Sequence, residues 1–178
     1  MKTHNGMRPQ DVVILLKICT LQGDDWRFQD IAESLKISPS EVSESLERSR
    51  LAGLVSDSKR TVYTSSFLDF LVSGLKYVFP ALPGAVVRGF PTAHSAPPIN
   101  ASIAAGAENY VWQSAKGTLR GQAIEPLYKT VPDAVTDDKA LYELLALADV
   151  IRIGRAREVN LAIAEFKKRL KVEEVCQI

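Results

Sequence analysis

Residues 27–63 read RFQDIAESLKISPSEVSESLERSRLAGLVSDSKRTVY, and the fold is decided there. Phe28, Ile31, Ala32 and Leu35 recur at three and four residues, so they form one apolar face of a short helix. Ile37 closes that pattern and points back to the core. Ser38-Pro39-Ser40-Glu41 then marks a second helix start. The Ser38 hydroxyl can accept from a free backbone N–H, and Pro39 stands where its missing N–H costs nothing. Glu41, three residues after Ser38, completes the pattern of a capping box. Val42, Leu46, Leu51 and Leu54 carry the apolar side of this helix, and Gly53 is its expected stop. Beyond Gly53 the period changes. Leu54-Val55-Ser56 and Thr61-Val62-Tyr63 suit two short strands, and Asp57-Ser58-Lys59-Arg60 is turn chemistry with two cations at its tip. Two helices joined by a tight turn and followed by a hairpin have the form of a helix-turn-helix with a wing.

The I-A-x-x-L of the first helix (Ile31, Ala32, Leu35), the S-P-S-x-V-S of residues 38–43 and the A-G-L-V of residues 52–55 carry a resemblance. They resemble the winged helix-turn-helix of MarR-like bacterial transcriptional regulators, over residues 8–78. The resemblance implies a mainly α (α+β) fold, a homodimer and double-stranded DNA as partner. In such a module the second helix enters the major groove, and its N-terminal residues face base edges. By spacing these are Ser38, Ser40, Ser43 and Glu44, with Arg48 one turn on. The wing cations Lys59 and Arg60 suit phosphate or minor-groove contact. The expected role is a repressor that occupies its operator.

Charge argues the other way. Glu41, Glu44 and Glu47 lie on or beside the reading face. Residues 1–65 hold nine Lys and Arg against nine Asp and Glu, so the lobe is neutral. A neutral lobe gains little from counterion release. The alternative is an antitoxin-like or other protein-interaction subunit whose winged helix does not meet DNA.

Composition bounds the rest. The chain has 178 residues, is 46% hydrophobic and carries a net charge of +1, so it can bury a core and has no bulk attraction for nucleic acid. Its two cysteines, Cys19 and Cys176, are unrelated in pattern; Cys19 reads as a buried thiol and Cys176 as idle. With no secretory pattern this predicts a reducing cytoplasm. No apolar run reaches about 18 residues, which predicts no membrane span.

Outside the quoted stretch three regions follow. A helix opens at Arg8-Pro9-Gln10-Asp11 and is apolar on most sides, and another runs from Ser66 to about Val78. Residues 8–78 form the first region. Seven of the nine prolines fall in the next region, residues 79–136. It should run as an extended Pro/Gly-rich arm with a hairpin built from residues 110–112 and 118–124, and could meet a protein partner. Residues 137–172 read as a helix or helix pair with a stripe of Leu141, Leu144, Leu145, Ala148 and Ile151, continued by Val159, Ile163, Phe166 and Leu170. Gly154 would kink it. Unbroken, it would span about 50 Å and, with the first helix, form a dimer interface. Arg152, Arg155 and Arg157 read either as a grip on phosphate or an acidic partner, or as a solvated face. His94 has no ligand set around it, so no metal is expected. No cofactor loop or catalytic constellation is present, and the chain does not read as an enzyme.

Overall fold

The structure is a computed structural model and describes residues 6–21, 23, 25–103 and 108–172. Cys176 lies outside the described residues. The architecture is mixed α and β: among the described residues, eight α-helices surround a small three-stranded sheet.

Helix α1 (Pro9–Thr20) is followed by α2 (Phe28–Leu35) and α3 (Pro39–Leu51). Residue Lys36 ends α2 in a left-handed conformation, φ 56°, and turns the chain toward α3. The Ser38 hydroxyl accepts from the Glu41 amide at 3.2 Å. The capping box is only half made. The Glu41 carboxylate turns away from Ser38 and accepts from Gln10 and Arg48 instead. Gly53 stops the helix as expected: it takes φ 74°, and the Leu54 amide reaches back to the Ser49 carbonyl. Val55 and Val62 then bridge as antiparallel partners around a tight turn with Lys59 at φ 58°.

The single helix expected after this turn is two. Residues Thr64–Ser73 form α4 and Leu75–Val78 form α5, with Gly74 at the break.

The described part of the proline-rich region has regular structure. It holds β1 (Val86–Pro91), 3-10 turns at Ala93–Ser95 and Ile99–Ala101, β2 (Tyr110–Gln113), β3 (Leu119–Ala123) and α6 (Val131–Ala134). The two expected strands are present, but they do not form a hairpin with each other. Strand β1 pairs antiparallel with both, and the start of β2 pairs parallel with the end of β3, so the sheet closes on itself. Closure needs glycine. A Cβ on Gly89, where β1 meets both neighbours, would overlap the Trp112 carbonyl.

The C-terminal helix breaks at Gly154, whose ψ of 159° is extended. It gives α7 (Lys139–Ile153) and α8 (Ala156–Arg169). Arg169, at the end of α8, lies 2.5 Å from Glu143 near the start of α7, so the pair is an antiparallel hairpin. Of the helix or helix pair expected from the stripe, the pair is present, with Gly154 at the break. Helix α7 is the centre of the molecule. Nine of its residues, Leu141, Leu144–Ile151, are buried, and it packs against α1, α4, α5, α8 and the first 3-10 turn. One apolar cluster runs from Val12 through Phe67 and Trp112 to Phe166. The apolar circumferences of α1 and α7 are thus consumed inside one chain, and the dimer interface assigned to them is not available there.

Among the described residues no helix is long and apolar enough to cross a membrane.

Candidate nucleic-acid and partner interface

The outward edge of α3 is short and serine-rich. Ser38, Ser40 and Glu44 are exposed and Ser43 is half-buried. The opposite edge faces α1. Ser45 and Ser49 are fully buried there, and their small side chains let the two helices approach.

Arg48 belongs to the buried edge, not the reading face. It is 6% exposed. Its guanidinium forks onto the Asp11 carboxylate of α1, with Nη2 at 2.7 Å and Nε at 2.9 Å, and Nη2 also reaches Glu41 at 2.7 Å. Asp11 is 0% exposed, so this is a buried ion pair that fixes α1 on α3. The sequence misplaced Arg48 because helical spacing shows which residues share a face, not what a neighbouring helix brings to it.

The turn cations are also engaged. Lys59 binds Glu47 at 2.7 Å. Arg60 lies over the Trp26 ring at 4.7 Å and donates to the Trp26 carbonyl. Trp26 is itself buried. Arg50 clamps Glu47 at 2.7 Å and reaches Asp57 at 3.3 Å. Hydrogen bonds from Arg50 and Lys59 push the Glu47 carboxyl down to about 2. Burial alone would raise Glu41, but hydrogen bonds from Arg48 and Gln10, with the charges of Arg48 and Arg8, outweigh it and hold it below the usual range. Two of the three carboxylates on this helix are therefore neutralised within the chain. Glu44 remains, 65% exposed and 3.8 Å from Arg48.

Two further cations stand at the front of α3. Lys36 in the α2–α3 turn and Arg8 before α1 are exposed, and neither joins an ion pair among the described residues. Arg8 sits close enough to Glu41 to lower its pKa. Nothing in residues 27–63 signals Arg8, because the α1 contact that carries it there is long-range.

The second predicted cluster splits. Arg152 is interior, its side chain 4% exposed. It bonds the Asp149 carboxylate at 2.7 Å and the carbonyls of Phe79 and Glu125 at 2.9 Å. Asp149 also accepts from Thr92 and from the Trp112 indole at 2.7 Å. Burial pushes the Asp149 carboxyl up, while the Arg152 charge and these hydrogen bonds pull it back. Arg152 thus staples α7 to the proline-rich region and is not a phosphate or partner contact. Arg155 and Arg157 are exposed around the start of α8.

Among the described residues no three His, Cys, Asp or Glu side chains converge as metal ligands. His94 bonds the Glu108 carbonyl at 3.1 Å. A polar cleft of about 570 Å3 between α1, α2 and α6 is lined by Lys17, Lys36, Lys116, Glu33, Asp133 and Asp138. Its mixed signs select no ligand charge. No protein-family model, curated protein or solved structure matches the chain.

Proposed function

We propose that the chain is a cytoplasmic winged-helix DNA-binding regulator, with α3 as the reading helix and the 54–63 turn as its wing. One observation carries the reading. The serine edge of α3 is open to solvent, and intrachain pairing of Glu41 and Glu47 removes two of the three negative charges that would repel a duplex. Ser40 and Ser43 donate to bases or phosphates, and Glu44 accepts from cytosine. Arg8 and Lys36 supply phosphate contacts. Lys59 joins them by exchange, because an exposed ion pair such as Lys59–Glu47 is worth only about 0–1 kcal/mol. A homodimer would form through surfaces other than α1 and α7. Helix α8, with Val159 and Ile163 half-exposed and Val172 just beyond it, offers one.

Fluorescence anisotropy with the chain's own upstream duplex tests the reading. Three phosphate contacts predict, for each chain bound, a shallow salt slope of about −3 in log–log form. Lys36→Ala and Arg8→Ala should each flatten it by about 1. Ser43→Glu should abolish binding. No binding at roughly 50 mM salt, or full binding by Ser43→Glu, overturns the proposal.

A second reading has its own observation. Arg48, Lys59 and Arg60 each hold a partner inside the chain, while Leu51, at the far end of α3, is 54% exposed. That suits a helix face used for protein contact. Loss of a co-eluting partner in Leu51→Glu, with no duplex binding at low salt, would favour it.

A further inference from the structure

The outer face of the closed sheet carries a charge arrangement that no ion pair among the described residues balances. Arg88 on β1 and Arg120 on β3 are direct partners in the antiparallel register, and both are exposed. Directly opposed residues in such a pair have Cβ atoms about 5 Å apart, and like charges placed there destabilise the sheet. Neither arginine joins an ion pair among the described residues. The Arg88 Nε donates to the Gly117 carbonyl at 2.6 Å, which fixes its stem and leaves both terminal amino groups free to fork. Alternation puts Val86 on the same face as Arg88, and Gln122 opposite Val86. Val86 is 58% exposed, and Leu82, just before the strand, is 86% exposed.

We propose that this face is a docking site for a protein segment carrying carboxylates interspersed with apolar residues. Two guanidinium forks side by side match two carboxylates, and an anion bridging them relieves their repulsion. The bare Val86 and Leu82 decide between polyanions. A phosphodiester backbone gains nothing from exposed aliphatic side chains, whereas an acidic peptide segment buries its own apolar residues against them. Arg88 and Arg120 already face each other across one ladder, so recognition on this face runs through side chains. The site lies on elements that contribute nothing to α3, and it holds whether or not α3 binds DNA.

The test uses the full chain and a short fluorescent peptide alternating Glu and Leu, read by anisotropy at low salt. A Gln/Leu peptide and a duplex oligonucleotide serve as controls. Saturable binding of the Glu/Leu peptide and not of the Gln/Leu peptide is expected, and the duplex, whether or not it binds at α3, should not displace the Glu/Leu peptide. Arg120→Ala should weaken it about tenfold, the value of one charge-assisted pair, and Val86→Glu should weaken it too. The Arg120 side chain makes no hydrogen bond or ion pair among the described residues, so its variant keeps the fold; an unchanged melting curve confirms that, and Arg88→Ala gives a second reading of the same pair. Absence of binding, an affinity unchanged by Arg120→Ala, or displacement of the peptide by duplex overturns the proposal. The last outcome would make the face a nucleic-acid surface.

Discussion

At the scale of single residues, Arg48 shows how one side chain can be read for the wrong job. It follows Glu44 by one turn and so falls among the reading residues by spacing alone. In the fold it is sealed against Asp11. Removing one partner of a buried pair strands the other charge without water, which costs about 3–5 kcal/mol. Arg48→Met should therefore lower unfolding free energy by that amount in urea titrations. Pairing it with Asp11→Leu should restore most of the loss, since an apolar pair of similar volume is tolerated there. Retained stability in Arg48→Met alone would remove the pair from the account of the fold. Ser45 and Ser49, polar by type, are used for their size at the α1 contact, their hydroxyls without a hydrogen-bond partner among the described residues.

Glu47 gives a pH dependence with a definite sign. Its folded pKa is depressed from 4.5 to about 2, so its contribution is present above pH 4.5 and is lost as pH falls toward 2. Amide exchange in the 54–63 turn should accelerate across that window and stay flat between pH 5 and 8, read by NMR. Acceleration already complete at pH 5 would place the controlling group elsewhere.

Among the elements, helix ends were the most legible part of the sequence and strand partners the least. Ser38-Pro39 and Gly53 announced both ends of α3 because caps act within a few residues. Lys36 is the exception: it does at the end of α2 what Gly53 does after α3, without glycine's freedom. Lys36→Gly should accordingly stabilise the chain by roughly 0.5–1 kcal/mol, and Gly53→Ala should destabilise it by a similar amount, both by thermal melting. Opposite signs are the point; equal signs would mean that backbone strain is not what differs. Strands β2 and β3 were legible from Tyr110-Val111-Trp112 and residues 118–124, but β1 was not, nor was the pairing. Which strands meet depends on where Gly89, Gly117 and Gly121 let backbones touch, and sequence spacing carries no such information. Gly154 likewise marked a kink without revealing a reversal, because the fold-back is driven by what Phe166 buries.

For the molecule as a whole, a division into a lobe, an arm and a dimerisation helix does not match how the core is shared. Helix α1 packs on α3 on one side and on α7 on the other, and Lys17 of α1 is bonded to Asp138 at the α7 cap at 2.6 Å. A fragment of residues 8–78 would expose the α7-facing side of α1 and of Phe67 and Leu71. It should fail to fold alone, seen as a dispersionless amide spectrum and a non-cooperative melt. A cooperative transition in that fragment would restore the independent lobe.

The two tryptophans fall on either side of that junction. Trp26 sits under Arg60 beside the α2 start, and Trp112 lies fully enclosed with its indole on Asp149. Each ring is an optical gauge of its own half of the core. In Trp26→Phe the remaining emission comes from the barrel seam alone, so comparing its denaturation curve with far-ultraviolet dichroism would show directly whether the two halves let go together.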